Sequence, residues 1–394
     1  MPTGRTPLLI DDPSEEHESF RAMCRDFAER EIAPLIDEAE RTGVYPRQLR
    51  QRAADAGLTG LSTPVQFGGS GAGATFQVIA IEELARVCAG LSTGLTGGLG
   101  QHLLCTVATD AQRERYLGPT LLGDSSAAFA MTEPDAGSDV LNMKGRANRL
   151  DDGRWRLTAS KMYITGAPFA DYLFVVVYTS PERRRNGISL FLVPTDTPGV
   201  EMQHLDKLGH RSMETAAVFL DCELPTEALL GEEGAGMRYV GETLEVGRLT
   251  HAARSLGVAR AAYEYAEEHA RSRVTFGNVI SSYQSIQFKL ARMLITLRST
   301  ALHVMNTAER LEAGSDVMMD ACMAKVVASE AAVEVSSEAM QIMGGLGYMM
   351  DTPVQRYLRD AYLYPVSEGT TEIQLRTIAR LSGLVEKQSD SDQQ

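Results

Sequence analysis

Apolar spacing changes twice along these 394 residues, and no fold built from one type of layer satisfies both changes. From Ser14 to about Leu117 the pattern is helical: Phe20, Met23, Cys24, Phe27, Ile32, Leu35 and Ile36 mark one buried helix face. Further helices are predicted at Pro46–Ala56 and Phe76–Val87, with glycine-rich breaks at Gly68–Gly73 and Gly94–Gly100. Between about Ala127 and Pro225, short β-branched and aromatic runs take over at Arg154–Thr158, Tyr172–Tyr178, Ile188–Val193 and Ala217–Leu220. Turn-forming pieces such as Asp151-Asp-Gly153, Arg185-Asn-Gly187 and Pro198-Gly199 separate them, so a mostly antiparallel β domain is predicted. After Gly236 the helical step returns at Ala252, Leu256, Ala259, Tyr263, Ala266 and Ala270, with further helices expected at Gln284–Leu311 and Ser315–Met343. The class is therefore α+β, mainly α. An N-terminal α-helical domain is expected over 1–126, a middle antiparallel β domain over 127–232, and a C-terminal four-helix-bundle-like α domain over 233–394.

Length alone favours two or three cores. A net charge of −14 argues against a general nucleic-acid or anionic-membrane surface while leaving room for local basic sites. Cys24, Cys88, Cys105, Cys222 and Cys322 are odd in number and contain no CxxC pair, so neither a disulfide framework nor a zinc site is expected. None of the seven histidines has metal-ligand spacing. Met1 to Pro13 lacks the apolar run of a signal peptide, and no stretch of about 18 apolar residues occurs, so no membrane span and a cytoplasmic address are expected. The polar tail from Ser389 is expected to fray.

Chemistry concentrates in Tyr364-Pro-Val-Ser-Glu-Gly-Thr-Thr-Glu-Ile-Gln374. Glu368 sits there at a Gly-hinged turn before an amphipathic helix, with apolar residues leading in. A carboxylate so placed can be ionised yet poorly hydrated, which suits abstraction of a weakly acidic C–H proton. The segment reads equally as a helix start capped by Thr370 or Thr371. Upstream, Phe129-Ala-Met-Thr-Glu-Pro-Asp-Ala-Gly-Ser-Asp139 runs an apolar strand into a turn whose Ala136-Gly137-Ser138 admits a flat ligand and offers donors. Lys161-Met-Tyr-Ile-Thr165 adds a ring and a hydroxyl. Singly, each reads as a β-turn or an edge strand with a core tyrosine.

Together and in order, Phe129–Asp139, Lys161–Thr165, Arg273–Gly277, Gln341–Gly345 and Glu368–Gln374 resemble the signature segments of the acyl-CoA dehydrogenase family, across about Glu16 to Leu384. No strand–GxGxxG–helix unit is visible, so no nicotinamide cofactor is implied. The resemblance implies FAD between the β domain and the C-terminal helices. It also implies dehydrogenation of an acyl thioester to the trans-2-enoyl thioester, with Glu368 taking the α-proton and the β-hydride passing to flavin N5. Phe129, Met131, Thr132, Gly137, Ser138, Tyr163, Ile164 and Thr165 would then contact the flavin. Arg273, Thr275 and Phe276 would reach the FAD of a neighbouring subunit, with Gln284, Gln341, Gly344 and Gly345 on its adenosine half. Thr370 and Glu372 would lie beside the FAD of their own subunit. Ser138, Glu245, Arg248, Ser367 and Gly369 are implied on the substrate side, Arg248 toward CoA. An electron-transfer flavoprotein as acceptor and a homotetramer built as a dimer of dimers complete what the resemblance implies.

This chain departs from the family pattern in places. Some relatives carry the base one residue before the arginine of the long helix, where this chain has Gly247. Ser367 replaces a common tyrosine, which opens space over the α-carbon or admits a polar or branched acyl group. Gly166 stands where Asn is usual and Asp135 where Gly is. Gly94–Gly100, with Leu95, is expected to floor an apolar acyl pocket. The sequence leaves open an acyl group delivered on a carrier protein, an oxygen-using acyl-CoA oxidase or flavin monooxygenase, and a catalytically silent flavin-binding scaffold.

Overall fold

The computed structural model describes residues 14–182 and 185–384. The expectations for Met1 to Pro13 and for the tail from Ser389 lie outside the described residues.

The N-terminal part is helical: α1 (Glu15–Phe27), α2 (Ile36–Thr42), α3 (Gln48–Asp55), α4 (Ala74–Ser92), α5 (Leu99–Val107), α6 (Asp110–Gln112) and α7 (Gly118–Leu121). Ser14 caps α1 by accepting from the His17 N–H. Between α1 and α2 the chain keeps turning through a π segment and a 3-10 segment at Ala33–Leu35, where Pro34 removes a donor. Cys24, Phe27 and Ile32, spaced as the sequence predicts, pack with Leu49 and Leu84.

The middle part is one eight-stranded sheet: β1 (Ala127–Ala130), β2 (Arg146–Arg149), β3 (Trp155–Thr165), β4 (Tyr172–Tyr178), β5 (Ile188–Pro194), β6 (Val200–His204), β7 (Thr215–Leu224) and β8 (Leu229–Leu230). Its order is β6-β7-β3-β2-β4-β5-β8, with β1 also on β4. Pairing is mostly antiparallel; β1 and β2 run parallel to β4. β1 reaches β4 by a long excursion through β2 and β3 rather than by a hairpin, which permits the parallel direction. Strand β3 joins the predicted Arg154–Thr158 run and the Lys161–Thr165 β element into one strand, within which Lys161 is 0% exposed. Its ammonium is paired with Glu133 and bonded to the Met131 and Val176 carbonyls.

The C-terminal part holds α8 (Gly236–Ser272), α9 (Gln284–Glu312), α10 (Met318–Met343), α11 (Val354–Ala361) and α12 (Thr371–Leu381). The segment after α8 forms a small hairpin, β9 (Val274–Thr275) and β10 (Asn278–Val279), that the helical reading did not contain. Helix α8 packs against α4, α9 and α10 through a seam that includes Ala259, Ala262, Ala266 and Ala270. At Gly257 an added Cβ would lie 2.4 Å from the Glu82 carbonyl, so α8 crosses α4 at backbone distance. Beside that crossing Glu83, 0% exposed, receives Arg21, Arg25 and Arg260 at 3.0, 3.0 and 2.8 Å. Glu82 bridges Arg21 and Arg260, both at 2.8 Å. This ionic cluster ties α1 and α4 to the helix that carries one wall of the site.

Candidate active site

Glu368 is held in the left-handed region, φ +53°, directly before Gly369 at φ +83°. A non-glycine residue in that region is held by its surroundings rather than by preference. The support comes from Gln374, wholly buried, whose Nε2 donates to the Glu368 and Gly369 carbonyls at 2.9 and 3.1 Å. A Cβ on Gly369 would come within 2.7 Å of that amide, so glycine is required there. Thr370 caps α12 by accepting from Ile373 N–H. Both readings of the segment are thus true together: a capped helix start and a displayed carboxylate.

The side chain of Glu368 lies over α8. A Cβ built on Gly247 would sit 3.3 Å from Glu368 Oε2 and 2.8 Å from Leu99 Cδ2. Glycine at 247 therefore leaves the space the carboxylate uses. Within the Gly94–Gly100 stretch it is Leu99 that meets this space, while Leu95 belongs to the core of the N-terminal helices. Burial raises the Glu368 pKa above the ordinary carboxylate value, opposed by the charges of Arg254, Arg248 and Lys325. Lys325 is itself lowered to about 8 by burial, against the attraction of Glu368 and Glu372, and it donates to the Pro365 carbonyl at 3.4 Å. Arg248 is buried with its Nε unpartnered, next to Met318. Half-buried Glu245, nearly a turn earlier, has its pKa raised by burial and by Asp316. Ser367 donates to the Leu363 carbonyl at 2.8 Å and meets His251 Nε2 at 2.7 Å.

The two upstream motifs come together in space. The Met162 N–H donates to the Thr132 carbonyl at 2.8 Å, joining the end of β1 to β3. A bulge between Lys161 and Ile164 puts Tyr163 at φ +60° and leaves its ring 68% exposed beside exposed Thr165. Phe129, Met131 and Thr132 are half-buried, and Gly137 and Ser138 are exposed. Ile164 differs from the expectation: its side chain is in the sheet core, so only its backbone faces outward chemistry. A flat ring with polar edges suits this set: an exposed aromatic, hydroxyl donors and open glycine backbone.

Lys161 and Glu133 hold this surface from beneath, a role no sequence pattern announced. Glu133 also accepts from the Lys144 and Gly145 N–H groups at 2.6 and 3.0 Å. Lys161→Met leaves that carboxylate buried without its cation. We expect a loss of about 3–5 kcal/mol, read as a lower melting temperature together with reduced retention of visible flavin absorbance. Lys161→Met combined with Glu133→Gln is expected to recover part of the loss; an unchanged melting temperature in the single variant overturns this role.

Arg273, Phe276, Gln284, Gln341, Gly344 and Gly345 are all exposed, and Thr275 is half-buried. Phe276, at φ +50° in the β9–β10 turn, is 97% exposed. Among the described residues no hydrogen bond or ion pair links them to Tyr163 or Glu368. Glu372 is exposed and Thr370 half-buried at the start of α12. A separate indentation lined by Arg47, Arg50, Asp124 and Asp171 shares no residue with this site, and Arg47 and Asp171 already pair at 3.2 Å.

The descriptions of the acyl-CoA dehydrogenase N-terminal, middle and C-terminal domains match residues 14–124, 128–222 and 234–382. An acyl-CoA dehydrogenase of Bacillus subtilis is 38% identical over 371 residues, spanning 93% of this chain and 98% of the relative. The solved butyryl-CoA dehydrogenase of Megasphaera elsdenii superposes with a TM-score of 0.90 at 34% identity, covering 95% of this chain and 99% of that one. A chain solved in work on the electron transferring flavoprotein of Acidaminococcus fermentans gives a TM-score of 0.91 at 32% identity, covering 96% and 100%.

Proposed function

Since the chain belongs to the acyl-CoA dehydrogenase family, we propose that Glu368 is the base that takes the α-proton of a bound acyl-CoA. The protein is an oxidoreductase of that family, with FAD as its cofactor. The observation that carries the assignment is the placement of a half-buried carboxylate, its pKa raised by burial, in a strained turn above the space left by Gly247. An α C–H is a weak acid, so a base stripped of water and held in register gains most. Arg254, Arg248 and Lys325 favour its ionised form. The backbone N–H of Glu368 donates to no protein carbonyl among the described residues. It is free to stabilise the thioester oxygen as enolate-like charge develops.

FAD, when bound, supplies the acceptor for the β-hydrogen and its electron pair. Phe129, Met131, Thr132, Tyr163 and Thr165 would hold its ring, and Thr370 and Glu372 would lie beside it. Arg273, Thr275, Phe276, Gln284, Gln341, Gly344 and Gly345 would serve the cofactor of a neighbouring subunit. Their exposure supports a homotetramer in which those surfaces are covered. Arg248, Glu245, Ser138, Ser367 and Gly369 would contact the substrate. Electron-transfer flavoprotein is the acceptor we propose, on the likeness to the Acidaminococcus chain. No helix among the described residues is long and apolar enough to cross a membrane. Five unpaired thiols support a cytoplasmic site of action.

Anaerobic titration of the holoenzyme with acyl-CoA and carrier-bound acyl thioesters tests this. Bleaching of the flavin by acyl-CoA is expected; a flavin reduced only by carrier-bound thioesters, or by none, overturns it.

A further inference from the structure

Beyond Gly247 the wall of the Glu368 site turns polar. Gly247, His251 and Arg254 follow at four- and three-residue steps on α8, one face of the helix. Ser367 gives its proton to the Leu363 carbonyl and so accepts from His251 Nε2, which assigns the His251 tautomer. The hydroxymethyl group of Ser367 is what leaves room for that imidazole. The His251 ring meets Tyr364 edge-on at 5.0 Å, and Tyr364 meets His210 edge-on at 5.5 Å.

Three polar atoms of this cluster are buried and have no partner: Tyr364 OH, His210 Nε2 and Arg254 Nε. Arg254 is half-buried, and its side chain makes no hydrogen bond or ion pair among the described residues. Burial lowers its pKa, opposed by the charges of Tyr364 and Glu368. Both histidines are kept neutral by burial, and buried Asp360, which accepts the His210 N–H at 2.6 Å, has its pKa raised by burial, so Arg254 is the cation of the group. An alkyl chain seated here would leave these groups desolvated and unanswered, the costly arrangement for buried polar atoms. An acceptor-only anion would answer the unpaired, half-buried guanidinium of Arg254.

We propose that the acyl chain of the preferred substrate ends in a carboxylate, bound by the half-buried guanidinium of Arg254. The proposal deepens the dehydrogenase reading and rests on it. Arg254 lies two turns, about 10 Å, beyond Gly247, and helical side chains lean toward the N-terminus. A chain on the order of four to six carbons would span that reach.

The test uses the holoenzyme and two matched series, straight-chain acyl-CoA and ω-carboxyacyl-CoA of equal length, read as anaerobic flavin reduction and as kcat/KM. The wild type is expected to favour the ω-carboxy series by at least about 30-fold, a charge-assisted contact in a buried site. Arg254→Gln is expected to collapse that ratio toward one, and Arg254→Lys to restore part of it. Because the readout is a ratio, a general loss of activity does not mimic it. Calorimetric binding of the two enoyl-CoA products to Glu368→Gln enzyme should show the same order without turnover. Equal or better reduction by the straight-chain series in the wild type overturns the proposal, even if Arg254→Gln fails to fold. An unchanged ratio in Arg254→Gln also overturns it. If neither series reduces the flavin, the dehydrogenase reading has failed instead.

Discussion

Glu368→Gln is expected to yield a folded, yellow protein whose flavin no longer bleaches with acyl-CoA, with kcat/KM down about 10²–10⁴-fold. The amide keeps the shape of the side chain over Gly247 and removes only its basicity. Stability should not fall at neutral pH. The folded-state pKa of Glu368 is raised, so the folded protein binds that proton more tightly than the unfolded chain. Ionising the group therefore costs stability above its folded pKa, and the amide avoids the cost. Activity runs the other way. Proton abstraction needs the anion, so wild-type kcat/KM should fall as pH drops through a value above 4.5, the ordinary carboxylate value. Turnover by Glu368→Gln at the wild-type rate, or an acid limb at the ordinary carboxylate value, would remove Glu368 from the mechanism.

A loss of stability as large as that at Lys161 is expected at Glu83. Glu83→Gln leaves Arg21, Arg25 and Arg260 around a neutral amide that is itself fully buried. Breaking a buried ionic group from one side costs about 3–5 kcal/mol. Its sign with pH is opposite to that of Glu368. Arg260 leads the interactions that hold the Glu83 pKa below its ordinary 4.5 against the opposing effect of burial. Its contribution is thus fully present above 4.5 and is lost as pH falls toward the folded-state value. Thermal melts of wild type and variant should differ widely at neutral pH and converge in acid. A neutral-pH difference of less than about a degree would show that the cluster is not what joins α1 and α4 to α8.

Much of this was legible in the residues. Tyr172–Tyr178 is a strand along its whole predicted length, because a run buried on both faces needs no partner to declare itself. The α12 cap at Thr370 and the placing of Glu368 before it are likewise local, set by Ser-Glu-Gly-Thr chemistry within one turn. Other features resisted for the same reason in reverse. Lys161 hid that its β element continues the Arg154–Thr158 strand, since a lysine signals solvent until Glu133, 28 residues earlier, is found beside it. Gln374 was visible in the motif, but its hold on the Glu368 carbonyl depends on a backbone reversal that periodicity does not encode. Leu95 and Leu99 are four residues apart in one glycine-rich stretch, and only the crossing of α5 with α8 separates core from site.

Helix, strand, cap and charged motif followed from near-neighbour patterns, because propensity, hydrophobic period and capping act within a few residues of the chain. The polar wall formed by His251, Arg254, Tyr364 and His210 required packing, since its members come from three places in sequence and each alone is an ordinary buried or solvated residue. Desolvation and pairing are properties of a volume, and a volume exists only once α8, the Glu368 turn and the loop after β6 have met.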